Sequence, residues 1–301
     1  MSTPLVSVVV PAFNAGRFLR LALQSVLSQT YSPLECIVVD DGSTDGTGEV
    51  ARGFGDRVLL LRTERVGVSS ARNAGARAGT GAVLAFLDAD DMWLPRKLEL
   101  QMAIVREHTD LGCVYCGLHL IDGEGAFIGK MRPAPGDVAL RNTLLLERPY
   151  MSIVTAVVPR HVFEAVGGFD ERLSTAADHE LACRIAMRWP VRGVDEPLYM
   201  WRQHGTGQMH RDPKRTERDA LISFETLFSD PALPGPMREL RRRALANLYI
   251  SVAGGHIGRG EQLPALRCIA KSLVLAPGRA LAAADRLTRP GGPEGLHDDV
   301  S

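Results

Sequence analysis

The chain is 301 residues long, 45% apolar and 23% charged, with 35 Lys and Arg set against 35 Asp and Glu. Those proportions are globular: they allow a sizeable core, exclude wholesale disorder and leave no net field to attract nucleic acid or an anionic membrane. Arg267, Lys271 and Pro277 break the Ala/Leu-rich stretch near the C-terminus, so no uninterrupted apolar run approaches the roughly 18–20 residues that cross a bilayer.

The N-terminal MSTPLVSVVVPAF has no basic stretch ahead of its apolar run, which Pro11 interrupts; it reads as a strand and not a signal, and a cytoplasmic protein is expected. VSVVV is followed by a helix over about 16–29, with Phe18, Leu19, Ala22, Leu23, Val26 and Leu27 on one face. Then come the strand ECIVVD, a helix near 46–52, the strand RVLLL, a helix near 69–78, the strand AVLAFLD and a helix starting near Pro95. This alternation predicts a doubly wound, mostly parallel sheet flanked by helices, which binds its ligands at the carboxyl ends of its strands.

A further strand over 113–120 contains Cys113 and Cys116, whose CxxC spacing lacks a second pair to complete a zinc site and reads as buried strand. The count of five cysteines without a secretory signal predicts free thiols in a reducing compartment. After the DGEG turn and an irregular Pro-rich stretch, a helix near 139–147, the strand IVTAVV, the loop VGGFDERL, a helix over about 175–188 and the short strands VRGV and PLYMWRQH are expected. Beyond Gly207 only helical patterns remain, at about 213–229, 237–254, 261–275 and 278–286. The expected division is a catalytic domain over 1–210, an all-helical extension over 211–290 and a polar, disordered tail over 291–301.

Three strand ends and one helix start hold the unusual residues. Pro11, Ala12, Phe13 and Asn14 form a turn that could set an aromatic ring and backbone N–H groups beside a ligand, although a plain strand-to-helix turn explains it too. Asp40 and Asp41 end the second strand, where one acid is an ordinary cap and two suggest a carboxylate reaching a ribose or base. Asp88, Asp90 and Asp91 follow the buried run AVLAF; such like charges persist when a cation compensates them, and a hard divalent ion with oxygen ligands is implied. Asp178 lies in a first helical turn, where helix electrostatics alone also favour an acid, and His204 could be a metal ligand, a phosphate donor or an exposed loop residue.

Taken in order, VSVVVPAFNAGRFLRLALQSVLSQTY, ECIVVDDGSTDGT, VGVSSARNAGARAGTGAVLAFLDADD, GGFDE, DHELACRIA and WRQH resemble the family 2 glycosyltransferases over roughly residues 5–205. The resemblance implies a GT-A fold, a sugar-nucleotide donor with UDP favoured, Mn²⁺ or Mg²⁺, and inversion at the anomeric carbon. It implies that Pro11 and Phe13, with Ala12 and Asn14 in the same turn, line the base pocket, Phe13 standing where Tyr is commoner. It places Asp41 and Asp40 on the uracil or ribose, and Arg72, Asn73, Asp88 and Ala89 along the nucleotide. Asp88 and Asp90 match the metal-associated Asp-x-Asp motif, Asp90 as direct ligand, with His204 near the diphosphate; Asp91 falls in the donor-sugar pocket or behind the ligands. Phe169 and Asp170 match a loop near the acceptor, and Asp178 matches the general base. The family often has Glu before that Asp, and here the position is Ala177; Glu180, about one turn on, is a second acid on a similar face.

The expected product is a saccharide or lipid-linked glycoside of polysaccharide or glycoconjugate assembly. A polyprenyl-phosphate glycosyltransferase and an inert nucleotide-sugar-binding module are the rivals. Residues 240–280 resemble one tetratricopeptide-like helical hairpin, expected to pack on the catalytic domain, and Arg238, Arg241, Arg242 and Arg243 form a basic cluster that could touch headgroups at the inner face of a membrane.

Overall fold

The computed structural model describes residues 3–204 and 212–277. Its organising element is β1 (Val6–Ala12), parallel to β2 (Leu34–Asp40) on one side and to β4 (Val83–Phe86) on the other. The helices α1 (Leu19–Leu27), α2 (Thr47–Arg52), α3 (Val68–Ala78) and α4 (Lys97–Glu107) connect these strands to β3 (Leu59–Arg62), β5 (Met92–Trp93) and β6 (Cys113–Ile121). The chain continues through β7 (Phe127–Met131), α5 (Gly136–Leu144), β8 (Val157–Pro159), α6 (Arg160–Ala165), α7 (Ala177–Ala186) and β9 (Val191–Arg202). The resulting sheet runs β3-β2-β1-β4-β8-β6-β9-β5, with β7 paired to β6. Most paired residues lie in parallel ladders, while β8, β7 and β5 pair antiparallel.

The VSVVVPA strand is buried on both faces because helices cover both. Val8 and Val10 share a core with Leu19, Leu23, Leu98 and Met102 on one face; Val9, Ile37 and Val39 share the opposite core with Ala71, Val162, Leu181 and Ile185. Gly75 lets α3 press onto β1: a Cβ there would stand 2.3 Å from Val9 Cγ1. Since α3 carries Arg72 and Asn73, this contact fixes their height above the strand ends.

The sequence expectations and the elements differ in a few places, each with a physical reason. IVTAVV is expected as one strand, yet Ile153–Thr155 is a 3-10 turn closed by Thr155 N–H on Ser152 O (3.1 Å), and only Val157–Pro159 pairs. The Pro-rich stretch after DGEG contains β7, held by β6 despite its outward Phe127 and Ile128. VRGV and PLYMWRQH belong to the single strand β9, whose register against β6 shifts around Gly117 so that Pro197 is accommodated without a ladder donor. Cys113 and Cys116 are buried in β6 and free, as are the other three cysteines.

The helices α8 (Pro213–Ser229), α9 (Gly235–Arg238), α10 (Arg241–Gly258) and α11 (Gln262–Leu275) follow. Phe224, Leu227, Leu248 and Val252 build a third core with Leu144, Leu145 and Cys183, so this extension rests on the ends of α5 and α7. The expected boundary near 210, the helix expected at 278–286 and the tail over 291–301 lie outside the described residues. Among the described residues no helix is long and apolar enough to cross a membrane.

One charge sits inside the first core. Lys97 is fully buried; its Nζ lies 4.1 Å over the Trp93 ring and donates to Gln101 Oε1 (2.8 Å). Burial pushes its pKa from 10.5 down to about 8. Between those two values the unfolded chain binds a proton that the native state lacks, so this group makes stability rise with pH in that window. Lys97→Met should remove that rise, worth at most about 3 kcal/mol, and should be no less stable than wild type at pH 7. Urea unfolding of both proteins at several pH values between 7 and 10 tests this; identical pH slopes would refute it.

Candidate active site

The carboxyl ends of β1, β2 and β4, the start of α7 and the end of β9 meet at one rim of the sheet. At β1, Pro11 and Ala12 are buried, with Ala12 opposite Asp40, and Phe13 is half-buried at the opening with the exposed Arg65 guanidinium 4.5 Å over its ring. Asn14, at φ 49°, ties two loops together: its N–H donates to Ser43 Oγ (3.0 Å) and its Oδ1 accepts from Thr44 N–H (2.9 Å). Asp40 is buried and accepts from Ser43 N–H (2.9 Å). Asp41 accepts from Thr63 Oγ1 (2.8 Å), Val66 N–H (2.7 Å) and Gly67 N–H (2.8 Å). Asn14, Asp40 and Asp41 thus shape the loops, and Asp41 holds the 63–67 segment that presents Arg65 to Phe13. Arg65 escaped the sequence reading because nothing local separates it from any surface arginine.

After β4 the three acids take different surroundings. Asp91 is buried, accepting from Tyr199 Oη (2.5 Å) and Arg202 N–H (2.7 Å), which fastens the β4 end to β9. Burial, then the charges of Asp90 and Asp88, push its carboxyl well above the usual range. Asp90 Oδ2 lies 2.9 Å from His204 Nε2, and burial followed by the Asp88 charge raises its pKa while His204 opposes the rise. Asp88 Oδ1 accepts from Arg72 at 2.5 Å. Ala89 between them is buried. Arg202 braces this turn through its Nε on Asp90 O (2.9 Å) and its Nη1 on the Asp122 and Gly123 carbonyls (3.2 Å each), lying over Phe18 as His204 does. Tyr199 and Arg202 lie in the stretch PLYMWRQH, expected as a strand, and partnership with acids far away in sequence gives them their roles.

The donor set suits a hard divalent ion. Asp88 and Asp90 keep 35% and 36% of their side chains exposed, and their like charges repel each other, which a cation would relieve. Asp91 is occupied by Tyr199 and β9. Among the described residues no three His, Cys, Asp or Glu side chains form a ligand cluster, so an ion here would complete its shell from a ligand's phosphate oxygens, as Mg²⁺ commonly does.

Arg72 is the link to the opposite wall. It is buried, lies 5.2 Å over the Phe169 ring, and feels burial against its charge but Asp88 and then Asp178 in its favour, with a raised pKa as the outcome. Phe169 is itself buried, edge-on to Phe86 (5.0 Å) and near Phe163 (5.8 Å), so it supports Arg72 from within the core. Asn73 clamps the same loop, accepting from Phe169 N–H (3.0 Å) and donating to Phe169 O (2.9 Å) and Glu171 (3.0 Å). Gly168, at φ +70°, makes the turn that brings the loop there. Asp170 pairs with Arg172, which holds its carboxyl below the usual range.

At the start of α7 the two candidate bases separate. Glu180 is 1% exposed, with both oxygens on Arg184 (2.5 and 2.6 Å), and Arg184 also donates to the carbonyls of Gly168 (2.7 Å) and Val166. Asp178 is partly exposed, with Oδ2 accepting from Ser152 Oγ (2.9 Å). The strand-end acids Asp88 and Asp90, the Phe13 ring and Asp178 thus lie along one rim of a mixed, mostly parallel sheet flanked by helices, the GT-A architecture. The same fold is found in Staphylococcus aureus TarS 1-349 in complex with UDP-GlcNAc (TM-score 0.66, 18% identity, 92% of this chain and 83% of that one). It is found again in the mannosyltransferase PcManGT of Pyrobaculum calidifontis in complex with GDP-Man and Mn²⁺ (TM-score 0.66, 23% identity, 98% and 83%). The Glycosyl transferase family 2 profile matches residues 7–167, and an uncharacterized glycosyltransferase of Rickettsia prowazekii is 34% identical over 232 residues, 75% of this chain and 71% of that protein. The chain belongs to glycosyl transferase family 2.

Removing the guanidinium of Arg184 would leave Glu180 buried and unpaired. Arg184→Ala should therefore lose about 3–5 kcal/mol of stability, against a much smaller loss for Arg52→Ala, whose partner Glu49 is exposed. Equal denaturation midpoints for the two variants would contradict this.

Proposed function

We propose that the protein is an inverting glycosyltransferase that moves a sugar from a nucleoside diphosphate donor, UDP-linked by preference, to an acceptor hydroxyl in polysaccharide or glycoconjugate assembly. The observation that carries the reading is the convergence of the Asp88–Asp90 turn and Asp178 on one buried guanidinium, Arg72. A binding module has no use for a second acid there. Phe13 and Arg65 offer a flat cationic surface on which a base stacks. Asp90 and Asp88, with His204 beside Asp90, would hold Mn²⁺ or Mg²⁺ against the diphosphate. When bound, such an ion neutralises the charge that grows on the departing nucleoside diphosphate.

In this reading Asp178 takes the acceptor proton. As the acceptor oxygen bonds to the anomeric carbon, its O–H acidity rises, and the carboxylate accepts the proton late in the step. The glycosidic C–O electron pair leaves with the diphosphate, and attack from the face opposite the leaving group inverts the carbon. Glu180, committed to Arg184, is left out of the chemistry, and Asp170, Phe169 and Asn73 act by shaping the wall that holds Arg72.

The acceptor is a saccharide or a lipid-linked saccharide. The basic cluster considered for headgroup contact is divided: Arg238 is spent on the Phe228, Asp230 and Pro231 carbonyls and Arg243 on Glu147. Arg241 and Arg242 remain exposed, Arg242 with a long bond to Val274 O (3.4 Å), and peripheral contact at the inner face of a membrane would rest on these two.

A donor screen with UDP-, GDP- and dTDP-sugars, following nucleotide release with Mn²⁺, with Mg²⁺ and with EDTA, tests the proposal. Release is expected with a UDP-sugar and metal, lost in EDTA, and reduced at least ~100-fold in Asp90→Ala and Asp178→Asn. Failure of every sugar nucleotide to bind in the presence of metal would sink it.

A further inference from the structure

We propose that Ser152 is a positioning residue for this transfer: its hydroxyl ties down one oxygen of Asp178 so that the other is presented to the acceptor. The inference rests on the reading of Asp178 as the general base. Ser152 lies outside every motif that marks the family resemblance, and only the fold brings it to α7, where its Oγ–H donates to Asp178 Oδ2 at 2.9 Å. Among the described residues Asp178 Oδ1 has no hydrogen-bond partner.

The two residues are held in mutual position by the same anchor. Thr143, buried at the end of α5, donates no freedom to either side: its Oγ1 accepts from Met151 N–H (3.1 Å), adjacent to Ser152, and its carbonyl lies 2.6 Å from Nε2 of His179, adjacent to Asp178. Ser152 is pinned from below as well. Its carbonyl accepts from Thr155 N–H (3.1 Å) and Thr155 Oγ1 (2.8 Å), and the Thr155 carbonyl accepts from the buried Gln101 (2.8 Å). With the main chain on either side of it held by these bonds, Ser152 brings its Oγ to one place beside α7, and the bond to Asp178 Oδ2 selects one rotamer of that carboxylate before any substrate arrives, which removes an orientational cost from the transition state.

Ser152 touches no reacting atom in this scheme and acts through Asp178. The acceptor O–H bond breaks, its proton goes to Oδ1, the acceptor oxygen bonds to the anomeric carbon, and the glycosidic electron pair leaves with the diphosphate. A free carboxylate would spread its rotamers and lower kcat without altering donor affinity.

The test uses the full chain with the donor that turns over in the screen above, comparing wild type, Ser152→Ala, Ser152→Thr, Asp178→Asn and the Ser152→Ala/Asp178→Asn double variant. Ser152→Ala is expected to lower kcat about 10-fold, the range for a hydrogen bond to a charged group, with donor KM and melting temperature unchanged. Ser152→Thr, which keeps the hydroxyl, should restore most of kcat, and the double variant should be no slower than Asp178→Asn alone. A wild-type kcat in Ser152→Ala beside a crippled Asp178→Asn would overturn the positioning role alone. So would a loss that Thr does not restore or that repeats in full in the Asp178→Asn background, since either marks a merely structural serine. Full activity in Asp178→Asn would overturn the base assignment itself, and the positioning role with it.

Discussion

A guanidinium taken out of water has to be matched by acids, and the site is organised around how Arg72 is matched. Its Nη2 is on Asp88, its charge is also favoured by Asp178, its face lies on Phe169, and its Nε finds no partner. Each neighbour comes from a different part of the chain: the β4 end, the α7 start and the Gly-Gly-Phe-Asp loop. Arg72 therefore requires α3 to sit at one height, which Gly75 permits, and requires the loop carrying Phe169 to be folded under it, which Asn73 enforces. Displacing any of these would leave a buried charge short of its partners, a penalty of several kcal/mol.

That constraint divides the acidic residues into those that build and those that remain available. Asp41, Asp91 and Glu180 have both oxygens committed to the 63–67 loop, to Tyr199 and the β9 backbone, or to Arg184, and buried Asp40 has one on Ser43 N–H. Asp88, Asp90 and Asp178 retain exposure and unfilled acceptor capacity. The division follows from desolvation: a carboxylate sealed from water is tolerated when its lone pairs are filled, and chemistry needs one whose lone pairs are not.

The helical extension contributes from behind. Its third core grips Leu144, Leu145 and Cys183, and Asp219 of α8 accepts from the Ser174 and Thr175 N–H groups just ahead of α7. The end of α5, where Thr143 anchors the neighbours of Ser152 and Asp178, and the start of α7 are thereby both backed by helices α8 and α10. The described part of the extension therefore packs behind the wall that carries Asp178, the proposed base.

The sequence by itself determined the alternation of strands and helices and the family, and it marked the acids that follow the strands and open α7 as candidates. These are local quantities: hydrophobic period, turn residues and motif spacing are encoded within a few residues of one another. Only the tertiary structure decided which acids are structural. Asp178 and Glu180 stand two positions apart as two acids on a similar face, yet Arg184 seals Glu180 while Asp178 stays partly exposed beside Ser152. Phe169 and Asn73, expected along the acceptor and nucleotide sites, are buried, and the loop they hold together lies under Arg72. Ser152, Tyr199 and Arg65 were silent because their roles are partnerships across the fold, and a side chain's partner, unlike its propensity, is set by packing between elements distant in the chain.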